Sequence, residues 1–229
     1  WGNKMSLMVL DKEIQRIHVI DDDPLVRDAY LETVRDMGLE GVDVCAPIKD
    51  IDSLFGSIDP YTDGIIFDYQ LNSTKYSPFN GDIYGEAAYK RQIPFIISSH
   101  FTPLSLDGQK RKKKKTISSE SLEPSSLIEA FMLCIGEYKG TFVTRRQPIR
   151  TLVRIEGLEK NGDSFDLNVV VPNWDPHSGV KIRVKVHRFP QAINLQEELK
   201  EKGEARVTAE VNTGAEDVTE LYFSNCKTL

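Results

Sequence analysis

Arg16–Gly38, RIHVIDDDPLVRDAYLETVRDMG, decides the fold. Its first five residues form an apolar run of the length of one buried strand, and the run stops at three aspartates. Asp23 followed by Pro24 reads as a helix start, because a short acidic side chain accepts from the first free amides and proline needs no amide partner there. Val26, Tyr30, Val34 and Met37 then recur at helical spacing and Gly38 ends the helix. The stretch predicts strand, acidic loop, helix.

The same order repeats downstream. GVDVCA (41–46), GIIFDY (64–69) and PFIISS (94–99) read as strands, and IKDIDSLFGSI (48–58) and GDIYGEAAYKRQ (81–92) as helices. A last helix, EPSSLIEAFMLCIGEY (123–138), carries Leu127, Phe131 and Cys134 or Ile135 on one stripe. With KKTIS (114–118) as a fifth strand, the alternation predicts an α/β domain: a doubly wound, five-stranded parallel sheet, since parallel strands need long crossover connections. The domain is placed at residues 14–138.

Composition narrows the function classes. A net charge of -6 and a pI near 5.4 argue against a chain whose overall field gathers nucleic acid or acidic membrane. Cys45, Cys134 and Cys226 are far apart and lack CxxC spacing, so they predict buried thiols in a reducing cytoplasm rather than a disulfide framework or zinc site. No apolar run has the length of a membrane helix, so no membrane partner is expected.

In a doubly wound sheet, functional groups gather at the carboxyl ends of the strands. Asp21, Asp22 and Asp23 follow the first strand, Asp68 lies at the end of GIIFDY, and Ser98, Ser99 and His100 lie at and just after the end of PFIISS. Converging carboxylates repel one another unless a cation neutralises them, and such a hard oxygen site suits Mg²⁺. The chemistry expected is phosphoryl capture by one carboxylate. An aspartate triplet before a helix is also a common cap, so the set carries more weight than any member. His18, inside the first strand, reads as a satisfied core residue.

HVIDDDP, IIFDYQL and PFIISSH, in this order, resemble a response-regulator receiver domain, a flavodoxin-like, CheY-like fold. The resemblance covers residues 14–138. It implies that Asp68 is the phosphoacceptor, that Asp22, Asp68 and the backbone carbonyl of Gln70 ligate Mg²⁺ with Asp21 acting through a bound water, and that Ser99 is the switch hydroxyl. It also implies a histidine kinase or phosphotransfer protein as partner. No enzyme activity beyond self-phosphorylation is implied.

Two departures qualify this. The family's phosphoryl-binding lysine lies about twenty residues past the switch hydroxyl by that resemblance, and here that position is Ser119 or Glu120. QKRKKKKTISSE (109–120) instead holds six consecutive cations just before it, of which Lys114 and Lys115 are the candidates to reach the acidic pocket. The run reads first as a solvated loop in place of the fourth helix, and is too short and isolated to be a good nucleic-acid contact. Because the family's dimer face uses that region, homodimerisation stays open. The second departure is NSTKYSPFNGD (72–82), a polar insertion close after Asp68 that could cover the site.

Residues 139–150, KGTFVTRRQPIR, lose helical periodicity and read as a linker. Residues 151–229 change character: TLVRIEGL, SFDLNVVVP, VKIRVKVHRF, ARVTAEVN and ELYFSNC read as strands, with NLQEELKEKG as a helix between the third and fourth. That element order resembles a small all-β, OB-like barrel. With 13 acidic against 11 basic residues over 150–229, it is a poor single-strand nucleic-acid binder. Lys181, Arg183, Lys185 and His187 form a stripe that reads as a solvated sheet face or an anion site. The chain is therefore expected to be a non-DNA-binding response regulator whose barrel meets a protein partner not identified by sequence. The alternative is a phosphorylation-independent pseudo-receiver acting as an interaction scaffold.

Overall fold

The computed structural model describes residues 6–72, 74–99, 116–118, 123–185, 192–218 and 220–229, and divides into two compact units at Phe142/Val143. The first unit opens with a hairpin, β1 (Leu7–Val9) and β2 (Lys12–Ile14), that the sequence reading leaves out of the domain. Val9 and Ile14 are buried beside Leu127 and Phe131 of the last helix, and Asp11 pairs with Lys139. The first unit therefore reaches back at least to residue 7.

Its sheet is built from β3 (Arg16–Ile20), β4 (Glu40–Asp43), β5 (Asp63–Asp68), β6 (Phe95–Ser99) and β7 (Thr116–Ser118). The spatial order is β4-β3-β5-β6-β7 and every pairing is parallel. The crossovers run through α1 (Pro24–Asp36), α2 (Ile51–Phe55) and α3 (Gly81–Lys90), and α4 (Pro124–Tyr138) follows β7. Alternation along β5 explains why helices cover both faces. Ile65 and Phe67 join Phe95, Ile97, Tyr84 and Phe55 in one core, while Ile66 joins Ile96, Tyr30, Val34, Leu127 and Phe131 in the other. Each such side chain contributes about 1.5–3 kcal/mol by leaving water. The two cores fix the sheet between its helices and so set the strand ends.

Local signals act as the sequence predicts. Asp23 caps α1 by accepting from the Leu25 amide (2.8 Å). Gly38, at φ 74°, terminates the helix in a conformation that costs glycine little. Asp50 and Ser53, not read as a cap in the sequence, make reciprocal capping bonds that start α2 at Ile51, inside the helix expected over 48–58.

At the amino end of the same sheet, Asp63 is fully buried. Arg16 grips it with two bonds (2.9 and 3.0 Å), His18 Nε2 lies 2.8 Å away, and the Asp59 amide donates at 2.9 Å. His18 is thus the satisfied core residue expected.

The second unit is one antiparallel sheet, in the order β10-β9-β8-β11-β12. Its strands are β8 (Ile149–Asn161), β9 (Ser164–Val171), β10 (Asp175–Lys185), β11 (Ala205–Val211) and β12 (Phe223–Thr228), with α5 (Ala192–Lys202) between β10 and β11. The element order is the one expected, but β10 and β12 are edges with no pairing between them among the described residues. The closed OB-like barrel is therefore not what these pairings form. Alternate residues Val153, Ile155, Leu167, Val169, Ile182, Val207 and Ala209 face one core.

Within the segment expected as linker, Thr144–Arg146 form a single 3-10 turn and β8 begins at Ile149. The fully buried Asn212 holds this turn, donating to the Arg145 carbonyl (2.8 Å) while accepting from the Tyr222 amide (2.7 Å), and the Tyr222 hydroxyl reaches the Arg146 carbonyl.

Candidate functional site

The carboxyl ends of β3 and β5 are neighbours in a parallel ladder, with Ile20 opposite Phe67, so the residues that follow them fall into one crevice. Asp21 is the buried member, 4% exposed, and accepts from the Asp23 amide at 2.9 Å. Asp22 is half-buried and Asp23 is exposed as the cap of α1. Asp68, half-buried at the end of β5, accepts from the Gln70 amide at 2.6 Å.

Asp21 reports the charge density of the crevice. Burial, and then the negative charges of Asp68, Asp22 and Asp23, push its carboxyl from 3.8 to about 7 against the favourable Asp23 amide bond. Such a cluster is relieved by a cation. Among the described residues no three His, Cys, Asp or Glu side chains close as a metal-holding group. The donors nevertheless fit a hard cation that takes one or two carboxylates and keeps most of its water, as Mg²⁺ does. Asp22, Asp68 and the Gln70 carbonyl supply oxygen only.

Two features of the crevice escape the sequence reading. Arg27, on the first turns of α1, is buried: its Nη1 donates to the Asp21 carbonyl (2.7 Å), and its Nε lies 2.6 Å from Asp43 Oδ1, off the axis of a hydrogen bond. One guanidinium thus ties the end of β3 to the end of β4. No sequence signal marks it, because Asp43 belongs to another strand. Beneath the acids, Tyr30 OH and Ser98 Oγ share a buried 2.6 Å bond, and Ser98 stands opposite Asp68 in the ladder. Burial first, and then the charges of Asp21 and Asp68, push the Tyr30 phenol up to about 12 despite its bond to Ser98. It therefore stays protonated and able to donate.

The insertion after Asp68 lies against the site. Thr74 Oγ1 donates to Asp22 Oδ2 at 2.6 Å, and Tyr76 and Ser77 are buried behind it. Ser99 ends β6 one residue past the Asp68–Ser98 pair; its side chain, His100, Lys114, Lys115, Ser119 and Glu120 lie outside the described residues.

The stripe on the second unit is partly neutralised. Arg183 makes two bonds to Asp166 (2.6 and 2.9 Å), while Lys181 is exposed. The Lys185 side chain and His187 lie outside the described residues. Arg154, Arg206 and Arg150 on neighbouring strands likewise pair with Glu156, Glu204 and Glu210. Tyr222 and Phe223 are core, which removes them as stacking surfaces.

No family model and no curated protein matches the chain. Among solved structures, the neighbours include response regulators at low identity, and also the sugar isomerase domain of an RpiR transcription factor from Sphaerobacter thermophilus (9% identical, 56% and 71% covered, TM-score 0.33). The response regulator StyR is 15% identical, with 56% of this chain and 62% of that chain covered and a TM-score of 0.41. The amino-terminal domain of a response regulator/sensory box/GGDEF three-domain protein from Carboxydothermus hydrogenoformans is 14% identical (55% and 98% covered, TM-score 0.42). The BeF₃-activated form of SdrG from Pseudomonas melonis Fr1 is 18% identical (51% and 95% covered, TM-score 0.38). The residues of the crevice, not these alignments, carry the functional reading. No helix among the described residues is long and apolar enough to cross a membrane.

Proposed function

We propose that the first unit is a receiver that takes a phosphoryl group on Asp68 with Mg²⁺, from a histidine kinase or phosphotransfer protein, and signals through the second unit to a protein partner. The observation that carries this is the crevice itself. Asp21, Asp22 and Asp68 meet at adjacent strand ends, and burial first, then the neighbouring carboxylates, raise Asp21 to about 7.

Asp68 is the acceptor because it ends β5, half-buried, at the mouth of the crevice, with its carboxylate oriented by the Gln70 amide. Its carboxylate oxygen forms a bond to phosphorus as the donor's bond to phosphorus breaks, the P–N bond of a phosphohistidine or the P–O bond of acetyl phosphate, and the imidazole or acetate departs with that electron pair. When bound, Mg²⁺ supplies charge neutralisation for the phosphoryl oxygens. Asp22, Asp68 and the Gln70 carbonyl would hold that cation, with Asp21 acting through a bound water. Ser99 receives the phosphoryl group by hydrogen bonding. Lys114 or Lys115 supplies the cation that Ser119 and Glu120 cannot. The paired charges on the second unit's sheet favour a protein partner over nucleic acid.

Incubation with acetyl phosphate and Mg²⁺, followed by intact-protein mass, tests the reading. One added phosphoryl group in the parent and none in Asp68→Asn supports it; no adduct in either overturns it. The second reading, a pseudo-receiver scaffold in the cytoplasm, is favoured by one observation, the Ser119–Glu120 pair at the lysine position. It predicts no adduct and an unchanged partner complex in Asp68→Asn.

A further inference from the structure

The insertion between β5 and α3 is pinned at two points just past Thr74. The Tyr76 carbonyl accepts from the Ile48 amide (2.8 Å) and the Tyr76 hydroxyl bonds the Val44 carbonyl, which ties the loop to the segment between β4 and α2. Ser77 Oγ meets the Tyr84 hydroxyl (2.8 Å) and accepts from the Phe79 amide (3.1 Å), which ties it to α3. Burial of Tyr76 (8% exposed) and Ser77 (5%) makes both anchors costly to break. Thr74 is therefore presented from a fixed segment, with its hydroxyl on Asp22 at 2.6 Å.

A carboxylate has two oxygens with several lone-pair directions, and a donor fixed on Oδ2 sets the direction in which the group faces a cation. It also removes the freedom of the side chain to turn toward solvent. Hydrogen bonds of this type to a ligating carboxylate set its orientation and its affinity for the cation.

We propose that Thr74 is a positioning residue: it holds Asp22 in the orientation that takes the divalent cation, so the insertion completes the site. This rests on the reading of Asp22 as a cation ligand. Thr74 touches Asp22 and not the reacting atoms, and it acts only through that carboxylate.

Mn²⁺ binding to the full chain, followed by loss of the free-ion paramagnetic resonance signal and by calorimetry, tests this in four proteins: the parent, Thr74→Val, Thr74→Ser and Asp22→Asn. Thr74→Val keeps the shape and removes the donor, and its affinity is expected to fall about 10-fold, the low end for such contacts because the bond is exposed. Thr74→Ser restores the hydroxyl and is expected to bind as the parent does, while both unfold at the parent's temperature. If Thr74→Val binds as tightly as the parent or tighter, while Asp22→Asn is weakened, the site stands and Thr74 does not position it. Equal weakening in Thr74→Val and Thr74→Ser would also overturn the proposal, since side-chain shape and not the hydroxyl would then matter. Absence of saturable binding in the parent, or Asp22→Asn binding like the parent, would remove the cation-site reading and this inference with it.

Discussion

Replacing Asp21 by asparagine should stabilise the first unit, and by an amount that grows with pH. The folded carboxyl titrates near 7 against 3.8 when unperturbed, chiefly because it is buried and then because Asp68, Asp22 and Asp23 surround it. For an acid with a raised folded pKa, the folded state holds the extra proton. Stability is therefore undiminished below pH 3.8, declines as pH rises toward 7, and is flat above it. A shift of about 3 units corresponds to about 4 kcal/mol in full. Between pH 5 and pH 8 about two of those units act, so the advantage of Asp21→Asn over the parent should widen by about 3 kcal/mol. Urea titrations followed by the amide signals of β3 and β5 isolate the first unit from the second and give the difference at each pH. An equal margin at pH 5 and pH 8 would refute the reasoning, since the charge on Asp21 would then be no burden to the fold.

Two further outcomes follow from particular contacts. A Cβ added at Gly81 would lie 2.1 Å from the Asp68 carbonyl oxygen, a backbone atom, so Gly81→Ala must displace the end of β5. It should cost about 1–3 kcal/mol in thermal unfolding and abolish the phosphoryl adduct at the same time. Burial pushes the Asp63 carboxyl up, but bonds from Arg16, the Asp59 amide and His18 outweigh it and hold the pKa below the usual carboxylate value. That stabilisation is present above about pH 3.8 and is lost as pH falls through the lower folded value. Asp63→Ala should cost about 3–5 kcal/mol at pH 7, and the gap to the parent should narrow in acid; a gap that does not change would contradict the pairing.

The parts of the fold legible in the sequence were those set by local rules. Asp23, Pro24 and Gly38 bound α1 without help from the rest of the chain, and the apolar run Ile65–Phe67 needs covering on both faces wherever it lies. The first hairpin was missed because strands of three residues are too short to show a period of two. Closure into a barrel is not legible, because element order does not say whether the edge strands β10 and β12 meet. In the crevice, the acids were visible as residues that end apolar runs. Arg27 was not, since a buried guanidinium is identified only by partners such as Asp43 and the Asp21 carbonyl. The Tyr30–Ser98 bond joins residues on α1 and β6, and Thr74 finds Asp22 across the loop, so neither has a spacing that sequence could reveal.

Capture of a phosphoryl group by Asp68 is the central claim, and borohydride tests it at the residue. After treatment with acetyl phosphate and Mg²⁺, reduction of an aspartyl phosphate leaves homoserine in its place, and peptide mass spectrometry locates it. The account predicts homoserine at position 68 and at none of Asp21, Asp22 or Asp23. Unmodified Asp68 in a chain that still binds the cation, or homoserine at another aspartate, would contradict it.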